Sequence, residues 1–115
     1  MNTTRIDPKY MEKKLWVWDT LQIAPTFTQN REKFDLLKGS FLNVLLVHVV
    51  KGSEILAHYE DYDAIFYILE GIGIIQIGNE KVSVKPGMMV YSPKTELRGI
   101  YPDSTFLIMG LQEPH

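Results

Sequence analysis

Among the side chains whose types could do chemistry are an imidazole, a carboxylate and a guanidinium: His58, Glu60 and Arg98. An imidazole and a carboxylate can ligate a transition metal, but a bound metal needs at least three protein donors in fixed geometry. The guanidinium of Arg98 stays protonated, so it repels a cation and instead suits a carboxylate or a phosphate. The sequence contains no cysteine, which excludes thiolate catalysis, cysteine-ligated zinc and iron–sulfur clusters.

The other polar features favour structural roles. The acidic run at residues 60–63 is predicted to be a solvated loop, because a calcium loop needs more oxygen ligands at regular spacing. Gly71 and Gly73 precede no helix, so they are not a nucleotide-binding fingerprint, and no Gly-x-Ser-x-Gly nucleophile motif is present. His48 stands alone in an apolar stretch and is interpreted as a hydrogen-bonded core residue, with a metal ligand as the alternative.

Length and composition predict one globular domain. The chain has 115 residues, of which 45% are hydrophobic and 23% charged, which excludes a disordered tail, a collagen-like fibre and a disulfide scaffold. The formal net charge of −2 lacks the basic surplus of a nucleic-acid-binding protein. The apolar run at residues 44–47 is too short to span a membrane, and the N-terminus lacks a secretory signal. We therefore expect a cytoplasmic protein that binds neither nucleic acid nor membrane.

The first third of the chain differs from the rest. Asp7-Pro8 is a helix-start signal, and the apolar and aromatic residues 15–18 alternate as in an edge strand. The polar residues 26–33 are predicted to form a loop or one helical turn. The sequence thus predicts an N-terminal arm over residues 1–35 and a barrel over residues 36–115.

From residue 41 onward the pattern is that of short strands and turns. The predicted strands cover residues 41–50, 55–59, 64–69, 74–77, 81–84, 88–91, 96–100 and 105–111. Gly78-Asn79 is predicted to be a two-residue hairpin turn, and Pro86-Gly87 to occupy the centre of a type II turn. Strands at intervals of about 8–12 residues without a helical period predict an all-β sandwich or closed barrel.

Two stretches resemble the paired motifs of the cupin superfamily. The first motif runs from a glycine through a His-x-His pair and a glutamate to a closing glycine, and Gly52, His58 and Gly71 match its frame. The second motif opens with a glycine that is followed, after five residues, by Pro-x-Gly. Gly87 and Pro93 match the opening glycine and the proline, and Thr95 stands in place of the second glycine. The resemblance covers residues 41–111 and implies an all-β, double-stranded β-helix (jelly-roll) barrel, as in small single-domain RmlC-like cupins.

The resemblance also shows where the chain departs from the family's metal site. Carried over position by position, the metal ligands fall on His58, Glu60, Ala64 and Arg98. Ala64 has no donor atom, and Arg98 repels a cation. Asp63 does not replace Ala64, because neighbouring residues of a strand point to opposite faces. We therefore expect no bound metal and no other cofactor.

The resemblance places Glu60 and Arg98 on neighbouring inward faces, which leaves two interpretations. The two side chains form a bidentate ion pair that plugs the barrel, or Arg98 presents its guanidinium to the carboxylate or phosphate of a small ligand. The side chain of Phe66 is predicted to point to the same face of its strand as that of Ala64. The predicted ligand pocket therefore consists of His58, Glu60, Ala64, Phe66 and Arg98.

Two classes of function follow from the resemblance. The first is a metal-free binding protein for a small anionic or sugar-like ligand. The alternative is a small cupin enzyme, such as an isomerase, epimerase, decarboxylase or dioxygenase. In a metal-independent epimerase, His58 would be the base and Tyr67 or Tyr91 the acid.

The resemblance further implies a homodimer. In such families the N-terminal segment often packs across a partner subunit. Trp16-Val-Trp18 and the apolar strand at residues 41–50 need covering here, and a two-fold dimer removes an exposed apolar edge.

Overall fold

A computed structural model describes residues 17–115 and the backbone of a short strand at Thr4–Arg5. Within this described part, the strands are β1 (Thr4–Arg5), β2 (Arg31–Lys38), β3 (Asn43–Val49), β4 (Ile55–His58), β5 (Ala64–Glu70), β6 (Gly73–Ile77), β7 (Glu80–Val84), β8 (Met89–Ser92), β9 (Arg98–Pro102) and β10 (Phe106–Gln112). A short helix, α1 (Thr20–Ile23), and a 3-10 turn (Ala24–Thr26) precede β2. The predicted helix start at Asp7-Pro8 and the predicted strand residues Leu15 and Trp16 lie outside the described residues.

The described strands form two sheets. The larger sheet has the order β1-β2-β3-β10-β5-β8, and the smaller sheet has the order β4-β9-β6-β7. The short β1 runs parallel to β2, and the other pairs in the described residues are antiparallel. The predicted all-β architecture is confirmed, as a two-sheet jelly-roll sandwich.

The main core lies between the two sheets. Strands of both sheets contribute alternate apolar residues to it, as expected for facing sheets. Its buried members are Leu45, Val47, Val49, Tyr62, Ala64, Phe66, Ile68, Ile75, Val84, Ile100, Phe106 and Ile108. Burial of these side chains is the main contribution that holds the sheets together.

A second apolar cluster covers the other face of the larger sheet. Here β2, β3 and β10 provide Phe34, Leu46 and Leu107, and Ile23 of α1 packs against them. Asp19 begins the helix by accepting a hydrogen bond from the backbone nitrogen of Leu21 at 3.1 Å. The segment before β2 therefore covers one half of the outer face of this sheet.

The predicted turns are confirmed. Gly78 and Asn79 connect β6 to β7 with Ile77 opposite Glu80, as in a two-residue hairpin. Gly87 has φ +93°, and the nitrogen of Met88 donates to the carbonyl of Lys85, which is the geometry of a type II turn. Gly71 also has a positive φ, and a side chain there would collide with the carbonyl oxygen of Thr105.

The prediction for residues 26–33 was wrong in its second half, because β2 begins at Arg31. Five of the eight residues of β2 are charged, which hid its apolar residues from the pattern. The structure accommodates these charges locally. The carboxylate of buried Glu32 accepts hydrogen bonds from the backbone nitrogens of Thr28 and Gln29, and Asp35 pairs with Lys38 at 3.7 Å.

Several predicted boundaries shift. Val17 and Trp18 lie outside any strand, and the strand predicted from residue 41 begins at Asn43. The division predicted between residues 35 and 36 falls inside β2. In the described residues, no helix is long and apolar enough to cross a membrane.

Candidate functional site

The pairing of β4 with β9 places the chemistry-bearing residues side by side. His58 ends β4 and lies directly opposite Arg98, which begins β9. The register shifts between Ile55 and His58, and the chain then turns through Glu60 and Tyr62 before entering β5. The end of β4, the start of β9 and the loop that leads into β5 thereby bring these four residues close together.

These residues open onto a cavity of about 210 Å³ between the sheets. One part of its wall is apolar and comes from both sheets, and the other part is polar or charged. The lining residues are Lys33, Leu45, Val47, Ile55, His58, Glu60, Tyr62, Phe66, Arg98, Ile100 and Gln112.

The imidazole of His58 is fixed through both nitrogens. Nδ1 lies 2.8 Å from the carbonyl oxygen of Leu56, which only accepts, so Nδ1 carries a proton. Nε2 lies 2.8 Å from Oε1 of Glu60, a contact that requires one more proton between the two atoms. Whichever atom holds that proton, the pair has no net charge, because it is either imidazolium with carboxylate or imidazole with carboxylic acid.

Arg98 is buried, with 4% of its surface exposed. Its Nη2 donates to the carbonyl oxygens of Tyr62 at 2.6 Å and Ser92 at 3.2 Å, while its Nε has no partner. The guanidinium carbon lies 4.9 Å from the centre of the Tyr62 ring and 5.8 Å from that of Phe66. Burial lowers the pKa of Arg98, and the nearby Tyr62, Glu60 and Asp63 oppose that effect, so the group remains a cation.

The structure does not contain the Glu60–Arg98 ion pair that one interpretation of the sequence predicted. Glu60 is engaged by His58, and Arg98 by backbone carbonyls. The reason is local: the loop that carries Glu60 also brings the carbonyl of Tyr62 within reach of the guanidinium. The charge of Arg98 is therefore solvated by peptide dipoles and is not neutralised by a carboxylate.

Tyr62 contacts both Arg98 and Gln112 in the polar part of the cavity wall. Its hydroxyl accepts a long hydrogen bond of 3.4 Å from the amide of Gln112, and its ring stacks on His115 at 3.6 Å. Burial, and then the neighbouring Glu60 carboxylate, raise the pKa of Tyr62 to about 12. The phenol is therefore protonated at neutral pH.

Four of the five residues predicted for the pocket line this cavity: His58, Glu60, Phe66 and Arg98. Ala64 is buried in the main core and is not among the lining residues. The sequence analysis missed Lys33 and Gln112, which reach the cavity from the larger sheet. The alternation of Lys33 with the buried Phe34 was an available signal, had residues 26–33 been assigned to a strand.

Other sequence-based candidates lie elsewhere. Tyr67 and Tyr91 are exposed on the outer face of the larger sheet, so neither is the acid opposite His58. The alternation of β5 and β8 explains this, because Phe66 and Val90 point inward and their neighbours outward. His48 stacks on Phe27 beneath α1, with 4.9 Å between ring centres, on the face away from the cavity.

The donor set does not fit a metal ion. In the part of the chain that the structure describes, no three His, Cys, Asp or Glu side chains converge. His58 and Glu60 are bonded to each other, and the third side of the site is the buried guanidinium of Arg98. A cation placed there would have two donors and a fixed positive charge beside it.

Comparison with known proteins identifies the fold family. The family described as "Cupin domain" matches residues 45–103, more than half of the chain. The chain belongs to the cupin family. The matched span runs from β3 to just beyond β9 and includes the loop with Glu60 and Tyr62, so the departure from the usual metal ligands lies within the family's own motifs.

Solved structures resemble this cupin across most of its length. The protein TT1209 from Thermus thermophilus is 21% identical, with a TM-score of 0.77 over 87% of this chain and 98% of that one. A cupin-2 domain containing protein from Shewanella frigidimarina is 21% identical, with a TM-score of 0.75 over 89% and 98%. KdgF from Halomonas sp. is 20% identical, with a TM-score of 0.68 over 75% and 80%. These likenesses show the fold, and the search of curated proteins gives no match.

Proposed function

We propose that this cupin binds a small anionic molecule in the cavity between its sheets, without the metal of its family. The observation that carries the proposal is Arg98: a guanidinium with 4% exposure that lines the cavity and has no carboxylate bonded to it. Burying a cation without a counter-ion is costly, so its retention favours a role that uses the charge.

The charge balance of the cavity supports the same proposal. Lys33 and Arg98 are cations, while the His58–Glu60 pair is neutral as a unit. Among the described residues no carboxylate lies within ion-pair distance of Lys33. The cavity thus carries two positive charges with no carboxylate bonded to either, and low-dielectric walls focus the field of such charges on a bound ligand.

Titration calorimetry with acetate and inorganic phosphate tests the proposal. Wild-type protein should give binding heats that are lost in Arg98→Ala and reduced in Lys33→Met. Lys51→Met is the matched control, because Lys51 is exposed in the turn after β3 and lies outside the cavity. Equal heats in wild type and Arg98→Ala, or no heat from either anion, would contradict the proposal.

One observation favours an enzyme as the second candidate. The 2.8 Å contact between His58 Nε2 and Glu60 Oε1 holds a shared proton at the cavity, and the protonated Tyr62 hydroxyl lies beside it. Such a pair can supply and accept a proton in an isomerisation or epimerisation. Exchange of a substrate C–H proton with D₂O, lost in His58→Gln but retained in Lys51→Met, would support this candidate.

We also propose a homodimer. The outer face of β5 and β8 exposes Tyr67, Met89 and Tyr91, which are apolar or aromatic side chains on an edge of the larger sheet. A second copy would cover such an edge. Light scattering after size exclusion should give the mass of two 13.3 kDa chains, and a single-chain mass at micromolar concentration would reject the dimer.

A further inference from the structure

We propose that the ligand of the cavity is a monocarboxylate with a compact apolar body, and not a sugar acid or a phosphate ester. This inference rests on the proposed anion binding and narrows it to one chemical class. The inference follows from the apolar composition of the cavity wall, from the hydrogen-bond donors that have no partner within the protein and from the volume of the cavity.

Much of the remaining cavity wall is apolar. This apolar part comprises Leu45, Val47, Ile55, Phe66 and Ile100, contributed by both sheets. None of these side chains has a polar atom, so a ligand hydroxyl placed against them loses its water without gaining a partner. A hydrocarbon body instead gains from the burial of its surface.

The neutral donors of the cavity are largely engaged within the protein. Both nitrogens of His58 are bonded, to Leu56 and Glu60, and the Gln112 amide donates to Tyr62. Arg98 uses Nη2 for backbone carbonyls, which leaves Nε and Nη1 without partners among the described residues. Nε is itself buried, so Nη1 of Arg98 and the ammonium of Lys33 are the charged donors that can reach a ligand, and they serve one anionic group.

That group fits a carboxylate better than a phosphate. A carboxylate is planar and presents two oxygens, one for the free Nη1 of Arg98 and one for the Lys33 ammonium. A phosphate ester would bring a further oxygen and additional charge, which would face either the apolar wall or the Glu60 side chain. Neither offers a hydrogen-bond donor.

The space sets the size of the ligand. The cavity has a volume of about 210 Å³. Pockets for drug-sized ligands are larger, at about 300–1,000 Å³. A ligand body of about one small ring therefore suits this space.

Three probes of equal heavy-atom number separate the alternatives in calorimetry: cyclohexanecarboxylate, its neutral carboxamide and the polyhydroxylated acid erythronate. We expect cyclohexanecarboxylate to bind at least about tenfold more tightly than either of the others. Lys33→Met should weaken it, and Lys51→Met, at an exposed position outside the cavity, should leave it unchanged.

Val47→Thr tests the apolar wall without removing a charge. It adds a hydroxyl at nearly constant shape to a lining residue. The variant should lose affinity for cyclohexanecarboxylate and gain affinity for erythronate. Circular dichroism and urea unfolding establish that each variant is folded before its affinity is compared.

The outcomes distinguish this inference from the proposed function. If erythronate binds as well as cyclohexanecarboxylate, and both depend on Lys33 and Arg98, the apolar monocarboxylate is wrong and anion binding stands. If the carboxamide binds as well as the carboxylate, or no probe binds, the proposed anion binding is wrong and this inference falls with it.

Discussion

Two cavities of similar size lie on opposite faces of the larger sheet, and adjacent residues of β3 separate them. Val47 lines the inner cavity of about 210 Å³, and His48 lines an outer cavity of about 240 Å³ beneath α1 and the 3-10 turn. Each cavity holds a side chain with an unpartnered buried nitrogen: Nε of Arg98 inside and Nδ1 of His48 outside.

The two cavities differ in whether the fold fixes a charged side chain in them. Arg98 is a buried cation whose position is fixed by two backbone carbonyls. His48 is partly buried, stacks on Phe27 and shares its cavity with the exposed carboxylate of Glu70. Volume alone therefore does not mark a site, whereas a charge anchored away from water does.

Arg98→Ala should have the largest effect. It leaves the carbonyl oxygens of Tyr62 and Ser92 without their donor and removes the stack on the Tyr62 ring, so we expect a loss of about 3–5 kcal/mol in the free energy of unfolding. Urea denaturation measures this loss. A change below about 1 kcal/mol would show that the guanidinium is not anchored as the structure has it.

The second prediction concerns alkaline pH. The pKa of Tyr62 is raised from 10.0 in the unfolded chain to about 12 in the fold, so the protonated phenol stabilises the protein below pH 10. That contribution is lost as the pH rises from 10 to 12 and amounts to about 2–3 kcal/mol.

Tyr62→Phe is the matched variant for this effect. Its free energy of unfolding should fall less steeply than that of wild type between pH 10 and 12, while Tyr91→Phe, at an exposed position, should behave as wild type. Parallel curves for wild type and Tyr62→Phe would contradict the role assigned to burial.

Most of the strand positions from β3 onward were predictable, because the turns have residues with fixed conformational demands. Gly78-Asn79 and Pro86-Gly87 define the hairpin and the turn after β7, and the observed strands begin and end within one or two residues of the predicted ones. β2 was not predictable from its own pattern, since its charges are satisfied by contacts with Thr28, Gln29 and Lys38 that no periodicity shows.

Part of the cavity lining was predictable from the sequence, and its bonding was not. Motif spacing is enough to bring His58, Glu60 and Arg98 to one cavity. The partners of Arg98 are backbone carbonyls 36 and 6 residues away in sequence, and any residue type at Tyr62 and Ser92 has such a carbonyl. Lys33 required knowledge that β2 pairs with β3, which places it opposite Val47.

The third prediction tests the neutrality of the His58–Glu60 pair. Glu60→Gln preserves the hydrogen bond and the net charge, so affinity for cyclohexanecarboxylate should change less than about twofold, and stability by less than about 1 kcal/mol. His58→Gln leaves the Glu60 carboxylate uncompensated and should weaken binding about fivefold or more.

The double variant completes this cycle. His58→Gln combined with Glu60→Gln again removes both charges, so affinity should return close to that of wild type. A large gain of affinity in Glu60→Gln alone would show instead that Glu60 acts as a lone negative charge in the cavity.

The smallest effect is expected in the outer cavity. Because Nδ1 of His48 is buried without a partner, His48→Phe removes an unsatisfied polar atom and keeps a ring against Phe27. Stability should stay within about 1 kcal/mol of wild type or rise, and binding of anions to the inner cavity should not change. A loss of more than about 2 kcal/mol in the free energy of unfolding, measured by urea denaturation, would mean that the imidazole of His48 holds α1 in place. His48 and Arg98 would then both hold neighbouring segments in place, and the two cavities would no longer differ in this respect.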